Sequence, residues 1–372
     1  MGLSLGIVGL PNVGKSTLFN ALTRKQVPAE NYPFCTIDPS VGIVGVPDPT
    51  LERLAQMSAS RETIPAVVEF VDIAGLVRGA AQGEGLGNQF LAHIREVDAI
   101  VHVVRIFEDT NITHVEGEID PARDIATIHY ELILADVETV RKRLAALEKD
   151  RKRQDKIAEQ KYAAYKKLEQ TLLSGKRAAQ AILSPEELAL TQEAHLLTMK
   201  PVLFALNASL TGINLHEHRQ DPRWKALMST LEEEGAQWVV VYAGLEAELA
   251  DLNPLDRASL RKEFGVLDDG LGDLIRAAHT TLDRITFYTT GEKESRAWSV
   301  PRGATAPEAG AAIHTDFHDR FIRAEVINAQ KLLQAGSYAA ARERGLVRTE
   351  GKEYVVQNGD VMLFRIASSQ GG

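Results

Sequence analysis

Gly9-Leu10-Pro11-Asn12-Val13-Gly14-Lys15-Ser16, followed by Thr17, matches the spacing G-x-x-x-x-G-K-[ST] at every fixed position. The chemistry such a run can do is to hold a triphosphate. Backbone N–H groups of a glycine loop and the positive end of a helix meet this dense anion at little reorganisation cost. Gly9, Asn12, Val13 and Gly14 would form the loop, and Lys15 would reach the β- and γ-phosphates. The Ser16 hydroxyl is the natural Mg²⁺ ligand, with Thr17 beside it at the helix opening. A chance glycine-rich turn is the competing reading. The flanks argue against it, since Leu3–Val8 reads as a buried strand and Thr17–Arg24 as a helix.

Further positions extend the same chemistry. Val67-Val68-Glu69-Phe70-Val71 is an apolar, β-branched run ending at Asp72-Ile73-Ala74-Gly75. An acid at the end of a second buried strand can hold Mg²⁺ directly or through water, and Gly75 can offer its N–H to the γ-phosphate. Between the two motifs, Asn31–Pro39 contains Thr36, which can close over the γ-phosphate and complete the magnesium shell; satisfying a turn is its plainer role. The joint pattern belongs to the GTPase-like branch of P-loop proteins. Two departures follow. Leu76 stands where a glutamine would orient the attacking water, and leucine has no group for that task. A guanine reader needs Asn-Lys-x-Asp after a strand; here Pro201–Leu206 is followed by Asn207-Ala208-Ser209-Leu210. Leu210 accepts no hydrogen bond, so guanine loses the partners a discriminating pocket supplies. Asn253-Pro254-Leu255-Asp256 follows a helical pattern and is discounted.

With the glutamine missing, another group must align the water. His114, in the polar segment Glu108–Glu118 after the buried strand Ala99–Val104, is the candidate, against the alternative of an exposed loop histidine. His102, inside that strand, reads as a core residue. Asn12 raises the option that a bound K⁺ supplies charge near the phosphates; shaping the loop is the plain alternative. The stretch Arg78–Gly87 contains four glycines and suits a mobile lid.

These groups need a frame. At 372 residues, 44% hydrophobic and 25% charged, the chain has room for two or three domains. No run reaches membrane-spanning length. A strand starting within three residues of Met1 leads us to expect no signal peptide. The only cysteine, Cys35, excludes an intrachain disulfide and suits a reducing cytoplasm. Val41–Val46 reads as another core strand, and Asn88–Glu96 as a helix. From about Asp124 to Leu197 the pattern turns helical, with Leu132, Val137, Val140, Leu144 and Leu147 at helical spacing and a polar tip near Asp150–Asp155. Ser184-Pro185-Glu186-Glu187 carries a capping box. This reads as an antiparallel helical hairpin inserted between core strands. The core resumes with Pro201–Leu206 and Trp238–Tyr242, after which Ala243-Gly244-Leu245 lies where such folds wrap the base.

Charge singles out the insertion. Residues 141–177 carry 13 Lys or Arg against 5 Asp or Glu, while the whole chain is −9. A basic arm on an acidic body is the footprint of a localised nucleic-acid contact, directed at phosphate and shape; a solvated helix face is the bland reading. From Arg284 the texture changes to short strands, with a hairpin about Gly291, a short helix at Ala306–Ile313, and strands at Phe321–Ile327, Tyr354–Val356 and Val361–Phe364. A mixed sheet with one helix fits a ubiquitin-like β-grasp module.

The chain resembles the Obg-like ATPases of the YchF type. The resemblance rests on Gly9–Ser16, Asn31–Pro39 and Asp72-Ile73-Ala74-Gly75-Leu76-Val77. It continues through Arg296-Ala297-Trp298-Ser299-Val300-Pro301, Gly303-Ala304-Thr305-Ala306-Pro307 and Gly359-Asp360-Val361-Met362, and so covers essentially the whole chain. It implies a P-loop GTPase-like doubly wound α/β sheet over 1–123 and 199–283, an inserted helical coiled-coil arm over 124–198, and a TGS-like β-grasp domain over 284–368. It further implies a Mg²⁺-dependent hydrolase that prefers ATP, a hydrophobic residue replacing the glutamine, a water-positioning histidine at His114, and association with the ribosome through its RNA or proteins. Leu210 departs from the acidic residue common there. The expected activity is ATP hydrolysis to ADP and phosphate in the cytoplasm, with Lys15 and His114 as catalytic groups, Ser16, Thr36 and Asp72 around the metal, and Gly9, Asn12, Val13, Gly14, Lys15, Ser16, Thr17, Gly75, Asn207, Ala208 and Ala243 around the nucleotide. A conventional GTPase, or a nucleotide-sensing ribosome-binding switch with incidental hydrolysis, are the rivals.

Overall fold

The computed structural model describes residues 4–24, 40–73, 86–109, 117–151, 155–266 and 269–367. The chain divides into two compact units. Of the described residues, one takes 4–24, 40–42 and 69–277, and the other gathers 43–68 with those from 278 onward.

In the first unit, β1 (Ser4–Val8) leads through the glycine loop into α1 (Lys15–Thr23). β2 (Val41–Gly45), α2 (Pro49–Met57), β3 (Glu62–Ile64) and β4 (Val67–Asp72) follow, with β2 and β4 carrying the chain between the units. Next come α3 (Leu86–Glu96), β5 (Ala99–Arg105) and the short β6 (Phe107–Glu108). The main sheet has the order β2-β4-β1-β5-β7-β9, where β7 is Val202–Asn207 and β9 is Gln237–Val241. β4, β1, β5, β7 and β9 run parallel, and the edge strand β2 runs against β4, with the Val46 N–H on the Ala66 carbonyl at one end and the Asp72 N–H on the Ser40 carbonyl at the other. β8 (Ile213–Asn214) pairs antiparallel with β6. Such strands are covered on both faces, which is why β5 is buried along its whole length and reads as an unbroken apolar run around His102. Register brings Ile7 beside Asp72, Val8 beside His102, and Arg105 beside Asn207, so the strand ends converge.

The insertion is a helical pair. α4 (Pro121–Arg151) packs on α5 (Lys156–Leu173) through Ile133, Val137, Val140, Leu144, Tyr165, Leu168 and Leu172. Asp155 caps α5 by accepting from the Ile157 and Ala158 N–H groups at 2.8 and 3.2 Å. Gly175, at φ +79°, follows the end of α5, and α6 (Pro185–Thr191) starts from the Ser184/Glu187 capping box. The return to the core is fixed at Asp136. It is buried and accepts from Leu197 N–H, Thr198 N–H and Thr198 Oγ1 at 2.8, 2.8 and 2.6 Å. Burial raises its pKa against the pull of these bonds. α7 (Pro222–Glu234), α8 (Ala243–Leu249), α9 (Pro254–Glu263) and α10 (Gly270–Thr281) complete the run.

The second unit is a mixed sheet of β-grasp type, ordered β13-β12-β14-β10-β11-β3. β10 (Arg284–Thr290) and β11 (Glu294–Pro301) form the hairpin; β12 (Phe321–Asn328), β13 (Arg348–Glu350) and β14 (Asp360–Ile366) complete the sheet. Alternation divides its residues between two cores. Phe287 and Val300 join Ala309, Phe321 and Val326 in one. Tyr288 and Ala297 join Leu51, Leu54, Ile327 and Leu332 in the other. α2 is tied in by Asp48, which accepts from Thr50 and Leu51 N–H groups and from Tyr288 Oη at 2.7 Å. Two details differ from expectation. Tyr354–Val356 is no strand; only an isolated bridge joins Val355 to Thr305. Asp360 accepts from Tyr354 Oη and Gln357 N–H at 2.7 and 2.9 Å and gathers the segment into a turn. The module also has more than one helix: α11 (Ala306–Ile313), α12 (Asp316–Asp319), α13 (Ala329–Ala335) and α14 (Tyr338–Glu343).

Candidate functional site

At the C-terminal ends of the parallel strands, the glycine loop needs unusual backbone. Gly14 has φ +98° as the N-cap of α1, and a Cβ there would strike Asn207 Nδ2; a Cβ on Gly9 would approach the Val103 carbonyl to 2.6 Å. Both positions therefore require glycine. Asn12 takes φ +62° between them, a conformation asparagine tolerates better than most side chains. Val13 is buried, Thr17 is exposed, and Ser16 opens outward on the first turn of α1.

Lys15 is buried, and its Nζ donates to the Leu10 carbonyl at 2.8 Å, so the ammonium curls back over its own loop. Burial lowers its pKa, and Asp72 opposes this; burial raises the Asp72 carboxyl, and Lys15 opposes that. A cation and a carboxylate thus sit half-desolvated beside the same loop. Ser16 and Asp72 offer the hard oxygen donors that Mg²⁺ takes. Thr36, Gly75 and His114, like Leu76, lie outside the described residues.

Asn207 joins the loop to the far side of the site. Its Nδ2 donates to the Val13 carbonyl at 2.9 Å, and its Oδ1 accepts from the Ala243 N–H at 3.1 Å. The Ala208 N–H donates to the Val241 carbonyl at 2.8 Å. Asn214 folds the next turn, accepting from Ser209 N–H at 2.9 Å and donating to the Ser209 carbonyl at 2.8 Å. The result is a cavity of about 690 Å³ that gathers Asn12, Gly14, Thr17, Asn207, Ala208 and Ala243 with Phe107, Leu210, Tyr242, Leu245 and Phe264. Leu210 is 39% exposed in this lining. Asp109 and Glu248 are the carboxylates there.

A match to this whole arrangement is found over the full chain. "Ribosome-binding ATPase YchF" of Bacillus subtilis is 48% identical over 98% of this chain and 99% of its own length. The Pasteurella multocida protein of the same name is 46% identical over the same shares. The chain belongs to the YchF family. The family model YchF-GTPase_C, described as "Protein of unknown function (DUF933)", matches residues 284–367, and MMR_HSR1, described as "50S ribosome-binding GTPase", matches residues 4–136. A solved structure entitled as the Schizosaccharomyces pombe YchF GTPase superposes with a TM-score of 0.85 at 35% identity, covering 98% of each chain. The names of these relatives divide over the base, ATPase in the bacterial proteins and GTPase in the Schizosaccharomyces pombe structure and the MMR_HSR1 description. As a YchF-family member the chain is a P-loop nucleoside-triphosphatase by fold and family.

Sequence reasoning passed over Arg105. It is buried at the end of β5, donates from Nε to the Phe107 carbonyl at 3.0 Å and from Nη2 to the Asp109 carbonyl at 3.3 Å, and stacks 4.5 Å over the Phe107 ring. It fixes the wall that runs on toward residue 110. An arginine closing a strand that is apolar apart from His102 was the available signal. The basic arm is also more neutralised than its composition implies. Arg141, Lys142, Arg151, Lys161, Lys166, Lys167 and Arg177 all hold carboxylates. Lys152 and Arg153 lie outside the described residues. No helix among the described residues is long and apolar enough to cross a membrane.

Proposed function

We propose that this YchF-family chain binds ATP in preference to GTP, hydrolyses it to ADP and phosphate with Mg²⁺, and couples the cycle to ribosome binding in the cytoplasm. The observation that carries the base preference is the lining after Asn207. The asparagine is spent on Val13 and Ala243, and the position where a guanine reader needs an acid is Leu210, which lines the cavity. Guanine's N1–H and N2 amino group are left without that acceptor, whereas adenine has no such pair of donors on that edge. The competing GTP reading draws on the GTPase names among the relatives and on Asp109 and Glu248 in the same lining.

In this reading Mg²⁺, when bound, neutralises charge on the β- and γ-phosphates. Ser16 and Thr36 would hold it, with Asp72 behind them. Lys15 leaves the Leu10 carbonyl for the phosphates, and the Gly75 N–H meets the γ-phosphate. His114 aligns the attacking water that Leu76 cannot. K⁺ at Asn12 is a further proposed source of charge. The ribosome enters from the names of the bacterial relatives, and the arm over 124–198 is the proposed contact, through phosphate-directed cations. The sensor alternative keeps the binding and makes hydrolysis incidental.

Parallel calorimetric titrations of ATP and GTP test the base. ATP should bind tighter by roughly tenfold or more, the worth of a lost paired acceptor. Equal or tighter GTP binding overturns the preference.

A further inference from the structure

The second unit contains an opening outside the nucleotide site. β10 and β14 run parallel, yet their ladder ends at Tyr288↔Val361, although β10 continues to Thr290 and β14 to Ile366. On its other side β14 is paired with β12 as far as Ile366. Beyond Val361 the edge of β14 that faces β10 carries no ladder among the described residues. Past Tyr288 the strands part, and a cavity of about 580 Å³ lies there, with Thr290 on one bank and Leu363 on the other.

A sheet edge with open N–H and C=O groups is a template for another strand. The walls here add side-chain specificity. Trp298, Phe317 and Phe364 supply an apolar surface, and Leu363 is 40% exposed. Trp298 is held in place by donating from Nε1 to Thr289 Oγ1 at 3.0 Å. Phe364 is held by Phe287 and Phe317, at centroid distances of 6.0 and 6.1 Å. Charge selects the occupant. Glu292 and Glu294 stand in the lining, and among the described residues no lysine or arginine does. The nearby Arg296 guanidinium is engaged over the Trp298 ring, 4.1 Å from its centroid. A phosphate backbone would meet carboxylates here, whereas a cationic chain finds partners.

We propose that this cleft docks an extended, lysine- or arginine-bearing segment of a partner protein, added as a strand along β14. One apolar side chain of the segment seats against Trp298 and Phe317, and its cations turn toward Glu292 and Glu294. Main-chain bonds supply affinity and the pocket supplies selectivity. The inference is independent of which nucleotide the first unit holds.

The test uses the full chain labelled with ¹³C on the methionine methyls. Met57 and Met362 line the cleft, while Met199 and Met228 belong to the first unit and serve as internal controls. The probe is acetyl-Lys-Val-Phe-Val-Lys-amide. Its titration should shift the Met57 and Met362 resonances and leave Met199 and Met228 in place. Glu292→Lys with Glu294→Lys should weaken binding about tenfold, as should a glutamate-flanked version of the peptide. N-methylation of the two peptide valines should abolish binding by removing the strand bonds while keeping the side chains. Unmoved Met57 and Met362 at millimolar peptide would overturn the site. Undiminished binding of the N-methylated peptide would overturn strand addition. Tighter binding of a short oligouridine, or concentration-dependent shifts without any peptide, would overturn the partner class in favour of RNA or a second copy.

Discussion

The two openings of this molecule are built on opposite rules. In the first unit the cavity lies where parallel strands end, and several of the groups that shape it and the loop beside it are already held. Asn207 is bonded on both sides, Lys15 rests on Leu10, and Arg105 fixes Phe107 and Asp109. In the second unit the cavity lies inside a sheet, where a ladder stops, and its walls are aromatic. One opening is a preformed receptacle for a small anion, in which backbone and clamps are spent in advance. The other leaves backbone unspent, which suits a ligand that brings backbone of its own. The contrast shows that a cavity's volume says less about its ligand than the state of the main chain around it.

The largest expected effect separates chemistry from binding in the first opening. If preformed groups bind and a separate group aligns water, His114→Ala should lower turnover by roughly ten- to a thousandfold while ATP affinity barely changes. Single-turnover hydrolysis beside calorimetry reads both. Wild-type turnover at saturating ATP would return His114 to the status of a loop residue and send the search to bound K⁺ or the ribosome.

Much of the first opening was legible because its demands fall on residue types. Only glycine suits positions 9 and 14, and the proposed phosphate and metal roles name a lysine after them and an acid at the end of β4. Those constraints survive without coordinates. The clamp at Asn207 was legible as a departure from a guanine motif, but its two bonds were not, because they join residues 194 and 36 positions apart. Arg105 escaped for the same reason: its partners are carbonyls, and carbonyls have no residue type. The second opening was hidden altogether. The strands β10 and β14 could be read from their apolar alternation, yet where a ladder ends depends on strand twist and on the helices beneath, which alternation does not encode. Segment 43–68 shows the limit most clearly. Its α2 packs through Leu51 and Leu54 with residues such as Tyr288 and Leu332, far along the chain.

A smaller effect sharpens the comparison from the side of stability. The second unit buries a histidine that the docking reading does not use. His279 faces Ser299 Oγ at 2.9 Å, with Arg284 and Asp48 as the nearby charges. Burial, and secondarily Arg284, lowers its pKa to about 4 from the ordinary 6.5. The unfolded chain then binds the extra proton anywhere between those values, so stability is full above pH 6.5 and falls as pH drops toward 4. The loss attributable to this residue is roughly 2–3 kcal/mol. Denaturant melts followed at the Met362 methyl across that window should show it, and His279→Gln should flatten the profile. An unchanged slope in the variant would place the acid sensitivity elsewhere.

The smallest effect tests whether the first opening is truly preformed. Asn207 is buried, and its amide spans the Val13 carbonyl and the Ala243 N–H, one on the phosphate loop and one on the segment expected to wrap the base. Removing it leaves both backbone groups without these partners and frees two loops that otherwise share one anchor. A ligand would then have to restore their alignment from its own binding energy. Asn207→Ala should therefore weaken triphosphate binding about tenfold, near 1.4 kcal/mol, whichever base is attached. The equality between bases is the decisive part. A side chain that read the base would lose ATP and GTP unequally, whereas a clamp that only holds the loops must lose them alike. Calorimetry with ATP, GTP and inorganic triphosphate distinguishes the two: parallel losses keep Asn207 as a clamp, and a loss confined to one base makes it a reader.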